Sequence, residues 1–148
     1  MIYKLSNAVE RKVIETEFGI PFKYPHIYSP SLIINGFNET NLSVVTMESP
    51  YEINYAIWGL MPQNFKEDWH IFQNNANTLN VGLRELENIQ WMRESLEERR
   101  CLIIVSGFYT HLLHNGAHPP TICTSLHKNR SCWPASIMYW KMASIAAH

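Results

Sequence analysis

Three things are missing from this sequence: a long apolar run, an excess of charge of one sign, and closely paired cysteines. Without some 18 consecutive apolar residues there is no candidate membrane-spanning helix, and the opening Met1-Ile2-Tyr3-Lys4 leads into no apolar leader. The expected compartment is cytoplasmic, with no membrane partner. The formal net charge is −1, so nothing in bulk advertises a nucleic-acid binder, although a local basic groove stays open. Cys101, Cys123 and Cys132 are odd in number and far apart, which excludes a disulfide framework. Histidines crowd the C-terminal third (His111, His114, His118, His127), but the compact Cys/His pairs of a zinc site do not accompany them. No metal and no other cofactor is expected.

What is present suits one domain. The 148 residues are 46% apolar and 17% charged, ordinary for a soluble globular chain able to bury one core. Val9, Val13, Ile14 and Phe18 recur at helical spacing and predict a helix over 4–18, capped by Ser6 or Asn7 and stopped by Gly19. Residues 20–31 are rich in proline and aromatics and read as an extended connector. Strands are predicted at Ser31–Ile34, Leu42–Met47 and Ile53–Leu60, with a turn at Asn35-Gly36. Residues 64–75 suggest a short helix, and 83–98 helical or irregular structure. Cys101–Val105 is an unbroken apolar run, best explained as a buried strand that continues extended through Gly107–Leu113 to a turn at Asn115-Gly116. The class is α+β.

Two segments carry a resemblance. Trp58-Gly59-Leu60-Met61-Pro62 resembles a Trp-Gly-Leu-Ile-Pro element, and Arg100-Cys101-Leu102-Ile103 followed by Gly107-Phe108-Tyr109 resembles Arg-Cys-Leu-(Ile/Val)-Pro-x-x-Gly-Phe-Tyr-Glu-Trp. Both belong to the SRAP family, the SOS response-associated peptidases or abasic-site processing proteins. Either motif alone is weak; together they are fairly specific. The resemblance implies a curved, barrel-like mixed sheet with flanking helices, the C-terminal part missing. It also implies a function in sensing abasic sites in single-stranded DNA.

In that family a cysteine after the start methionine supplies a thiol and a free amine, which close on the sugar aldehyde of an abasic site as a thiazolidine. An acidic residue, an asparagine and a histidine assist proton transfer. Here the cysteine position is Ile2, which has no thiol. The glutamate position is Thr110, which has no carboxylate. The Asn-Ala-Arg motif falls on Asn80-Val81-Gly82, keeping the asparagine and losing the arginine, and the histidine position falls beyond this sequence. No catalytic set is intact, so covalent crosslinking and peptidase activity are both expected to be absent. Phe65 lies near the family's base-unstacking tryptophans, and Asn35-Gly36-Phe37 lies in the region of a DNA-contacting loop. The DNA-binding candidates are therefore Asn80, Phe65 and Asn35, with the Trp58–Pro62 loop beside them, and the partner is single-stranded DNA held noncovalently by a monomer.

Plainer readings stand beside these. Trp58 in an apolar strand fits a core position. Cys101 fits a small buried hydrophobe. Asn80 serves equally well to satisfy loop backbone, and Phe65 fits a core or surface aromatic. Arg99-Arg100 reads as a solvated pair, and Glu94, Glu97 and Glu98 as a solvated helix face.

Residues 1–117 form the family-like part. Residues 118–148 match no family motif and predict a non-family tail, frameshifted or poorly ordered. Reading from the third base of Met138, the codons through Ala143 force Val-Leu-Glu-(Asp or Asn)-Gly, and Cys132-Trp133-Pro134 forces Leu-Ala. Both resemble the family's C-terminal strand and turn. Two other roles compete with DNA sensing: a non-catalytic protein-interaction scaffold, and a nonfunctional truncated product.

Overall fold

A computed structural model of the chain describes residues 1–111, 120–124 and 136–138. The Asn115-Gly116 turn, His114, His118, His127, Cys132 and most of the tail lie outside the described residues.

The α+β class is what the chain adopts. In chain order the elements are β1 (Lys4–Asn7), α1 (Arg11–Phe18), β2 (Ser31–Asn35), β3 (Asn41–Thr46), β4 (Asn54–Ile57), α2 (Trp69–Ala76), α3 (Leu83–Asn88), α4 (Gln90–Glu98), β5 (Cys101–Val105), β6 (Gly107–His111), β7 (Pro120–Thr124) and β8 (Ser136–Met138). They build two four-stranded sheets, ordered β2-β1-β6-β7 and β4-β3-β5-β8. Among the described residues the strand pairs are antiparallel, and an isolated parallel bridge joins Phe22 to Ile53. Among the described residues the two sheets do not close into a barrel.

The run from Cys101 to His111 explains how the sheets join. Cys101–Val105 pairs inside one sheet and Gly107–His111 inside the other, so the chain changes sheet at Ser106. That corner is tied to β1. The Ser106 N–H donates to the Ser6 carbonyl at 2.7 Å, and its Oγ accepts the Ala8 N–H at 3.1 Å. Side chains alternate across a strand. Cys101, Ile103 and Val105 accordingly face the core between the sheets with Leu5, Leu42, Val44 and Trp58. Ile104 faces the opposite way, into a second cluster with Ile14 of α1, Phe22 and Ile53. A strand covered on both faces reads as a continuous apolar run.

The predicted helix over 4–18 is corrected at its start. Residues 4–7 are a strand paired on both sides, and α1 begins only at Arg11. The supposed caps have other work: Ser6 Oγ meets Ser106 Oγ at 3.2 Å, and Asn7 Nδ2 donates to the Ile104 carbonyl at 3.1 Å. Gly19 ends the helix as expected, at φ 66. The helix predicted over 64–75 starts later, at Trp69. Asn64 sits at φ 61, and the Asp68 carboxylate caps the helix by accepting the Ile71 N–H at 3.0 Å. The stretch 83–98 is two helices broken at Ile89, which is extended (φ −96, ψ 115). No described helix is long and apolar enough to cross a membrane.

Two stability predictions follow from packing. Gly59 has φ +131, and a Cβ there would collide with Gln73 Nε2. Gly59→Ala is expected to destabilise by about 2 kcal/mol or more, read as a lower urea midpoint. Burial, followed by the Glu10 charge, lifts the Tyr28 phenol from 10.0 to about 12. The unfolded chain releases this proton first. Stability is therefore full below pH 10 and falls as pH rises to 12. Tyr28→Phe should flatten that part of the profile, leaving the smaller contribution of Tyr55, which burial also raises.

Candidate functional site

The site begins at residue 2, and its anchor is Asn80. The Asn80 side chain holds the peptide of Ile2 at both ends: Oδ1 accepts the Ile2 N–H at 3.1 Å, and Nδ2 donates to the Ile2 carbonyl at 2.7 Å. This two-point grip fixes the backbone of residue 2 across 78 positions of sequence. The Ile2 side chain packs half-buried against the core between the sheets.

The two residues before Asn80, Thr78 and Leu79, are held by hydrogen bonds to the Trp58–Leu60 stretch and α2. Trp58 is buried and donates its indole N–H to the Leu79 carbonyl at 3.1 Å. Trp69 in turn donates to the Trp58 carbonyl at 3.1 Å. Thr78 is clasped by Gln73: Gln73 Nε2 donates to Thr78 Oγ1 at 2.8 Å, and the Thr78 N–H donates to Gln73 Oε1 at 2.8 Å. The Thr78 hydroxyl donates on to the Leu60 carbonyl. Residues 58–60 and 78–80 are therefore one hydrogen-bonded unit. This is why Gly59 needs to be glycine: the Gln73 amide occupies the space of its side chain.

The turn after β2 closes the other side. The Gly36 N–H donates to the Tyr3 carbonyl at 2.8 Å. Gly36 also lies against the Trp58 ring, where a Cβ would stand 3.0 Å from the nearest ring carbon. Asn35 Oδ1 accepts the Phe37 N–H at 3.2 Å, so its side chain shapes the turn. The Phe37 ring, 54% exposed, stacks on Tyr3 with centroids 4.9 Å apart and planes 21° apart. The aromatic pair Tyr3–Phe37 was not among the sequence candidates. The ring immediately after Asn35-Gly36 is the signal that could have found it.

The remaining candidates are placed as follows. Phe65 is half-buried, its ring 4.9 Å from Phe72, at the edge of the core. Thr110 lies on β6 one residue beyond Tyr109, the partner of Lys4, and so towards the residue-2 end of β1. Gly82 is exposed, and its N–H donates to Glu85 Oε2 at 3.2 Å, opening α3. The structure thus brings Ile2, Asn80, Trp58 and the Asn35–Phe37 turn together. Among the described residues no group of three His, Cys, Asp or Glu side chains could hold a metal ion.

A family description, SOS response associated peptidase (SRAP), matches residues 1–142. The chain belongs to the SRAP family. The match includes much of the tail from 118 onward. Two solved structures share the fold. A protein from Bacteroides thetaiotaomicron is 18% identical with a TM-score of 0.65, covering 81% of this chain and 53% of its own. One from Bordetella bronchiseptica is 13% identical with a TM-score of 0.60, covering 81% and 56%. This SRAP chain therefore spans about half the length of these relatives. No curated protein matches it.

Cys101 offers no substitute nucleophile. It is 7% exposed, and burial pushes its thiol from 9.0 up to about 11. Its alkylation at pH 8 is expected to run about 100-fold slower in the folded chain than in urea, on thiolate fraction alone. Peptide mapping of Cys101 after timed iodoacetamide treatment checks this. Equal folded and unfolded rates would contradict the burial.

Proposed function

We propose that this SRAP-family protein serves the DNA damage response as a relative of abasic-site sensors. It binds single-stranded DNA noncovalently and carries out neither crosslinking nor peptide cleavage. One observation carries the reading. Asn80 grips the backbone of residue 2 at both ends, while the side chain it presents is isoleucine. Positioning of the family's nucleophile is kept and the nucleophile itself is gone. Thiazolidine closure needs a thiol on that residue, and the carboxylate that would assist is replaced by Thr110.

The surface assigned to DNA is aromatic and polar. Phe65 and the Tyr3–Phe37 stack offer π-faces to unstacked bases. Asn80 and Asn35 shape the backbone beneath them, and Lys4 and Lys66 are exposed nearby in sequence. With a net charge of −1, only a local set of phosphate contacts is available, so binding is weak and sensitive to salt.

Incubation with an abasic single strand followed by a denaturing gel should show no adduct, and Ile2→Cys alone should not create one, because Gly82 and Thr110 remain. In fluorescence anisotropy the strand should bind at about 50 mM salt and release by about 200 mM. Phe37→Ala, at an exposed ring, should weaken binding about 5-fold or more, as should Phe65→Ala if it folds. A stable adduct with the natural sequence, or no affinity at low salt, would overturn the proposal.

A further inference from the structure

An asparagine followed by glycine is a chemically reactive pair. The glycine nitrogen can attack the side-chain amide before it, because a residue without a Cβ leaves the approach open. Asn35-Gly36 is such a pair, set in the turn after β2. The fold treats its two reacting atoms differently.

The electrophile is Asn35 Cγ. Its Oδ1 accepts the Phe37 N–H at 3.2 Å. A donor on that oxygen polarises the carbonyl and stabilises the oxyanion that attack creates. The nucleophile is the Gly36 nitrogen. Gly36 is buried against the Trp58 ring, and its N–H donates to the Tyr3 carbonyl at 2.8 Å. A buried, hydrogen-bonded amide is shielded from solvent base and keeps its proton. The turn therefore primes one partner and withholds the other.

What withholds it is the chain start. Tyr3 lies just outside β1, next to the Ile2 peptide that Asn80 grips at both ends. The Tyr3 ring also stacks on Phe37. The Tyr3 carbonyl thus stays on the Gly36 N–H as long as residue 2 stays fastened.

We infer that Asn35-Gly36 is a self-modification site gated by residues 2 and 3, and that Asn35 loses its amide as ammonia when the chain start lets go of Gly36. The Gly36 nitrogen gives its proton to solvent base and bonds to Asn35 Cγ. The Cγ–Nδ2 bond breaks, and Nδ2 takes up a proton and leaves as ammonia. Water then opens the imide ring at either carbonyl. One opening leaves an aspartyl residue, and the other an isoaspartyl link with an extra methylene in the main chain. Both replace a neutral amide by a carboxylate. The isoaspartyl link also displaces Gly36 from Trp58, where a Cβ would already stand 3.0 Å from the ring. Opening of the chain start is therefore recorded permanently in the turn. The inference does not depend on the DNA-binding proposal.

The test is incubation of the full chain at mildly alkaline pH, with peptide mapping that separates the asparaginyl, aspartyl and isoaspartyl forms at position 35. The folded chain should convert at least about tenfold more slowly than the chain in urea. In urea the second such pair, Asn115-Gly116, should convert at the same rate as the first. Asn80→Ala, which frees both ends of the Ile2 peptide, should raise the folded-state rate at position 35 about fivefold or more. Ile104→Val, in the other core cluster, should leave that rate unchanged. If Asn80→Ala does not fold, the natural chain carries the test. Below its unfolding transition in urea, conversion at position 35 should rise in step with hydrogen exchange of the Gly36 amide. Equal rates in the folded and unfolded chain would overturn the inference. So would a folded Asn80→Ala that converts no faster, an equal rise in Ile104→Val, or conversion independent of Gly36 exchange.

Discussion

The corner at Ser106 is the constraint on which the rest of the molecule depends. A single extended run supplies β5 to one sheet and β6 to the other, and the bend between them is bonded to β1 through Ser6 and Ala8. β1 pairs with β6 in one sheet, and its Asn7 side chain reaches across to Ile104 of β5 in the other, so the first strand ties the two sheets together. At one end of β1 the space between the sheets is filled by Trp58 and its neighbours, and at the other it opens as a cavity lined by Asn7.

Much of this architecture was legible, and the failures have identifiable causes. The apolar run Cys101–Val105 announced a doubly covered strand because each of its faces meets a different cluster. Gly19 announced the end of α1 because the αL geometry there favours glycine. The start of α1 was misread because Leu5, Ser6 and Asn7 are all buried on a strand paired along both edges. Two of these three are polar, and their burial depends on partners a hundred residues away. No local period can report that. The late start of α2 reflects a left-handed Asn64 and a capping Asp68, both of which local pattern rules rank below a run of aromatics.

At the candidate site, the motif Trp58–Pro62 and the residue Asn80 were legible only through resemblance. Their physical connection was not. Nothing in the sequence says that Thr78 lies in the grip of Gln73, or that the Asn80 amide spans both ends of the Ile2 peptide. These are contacts between segments, and their spacing follows from the fold. Asn35 illustrates the converse. As a candidate for DNA contact it is named by the sequence alone, and in the structure its Oδ1 folds the turn that carries Phe37. The exposed ring beside it presents the larger surface.

The clasp between Gln73 and Thr78 has a dynamic consequence. Each partner both donates and accepts, so the two bonds hold Thr78 against α2 at two points. Thr78 leads directly to Asn80, and Asn80 fastens residue 2. Opening of α2 at Gln73 would therefore release the chain start as well. The Ile2 amide should lose its exchange protection together with that of Thr78, while β1, paired along both edges, keeps its own.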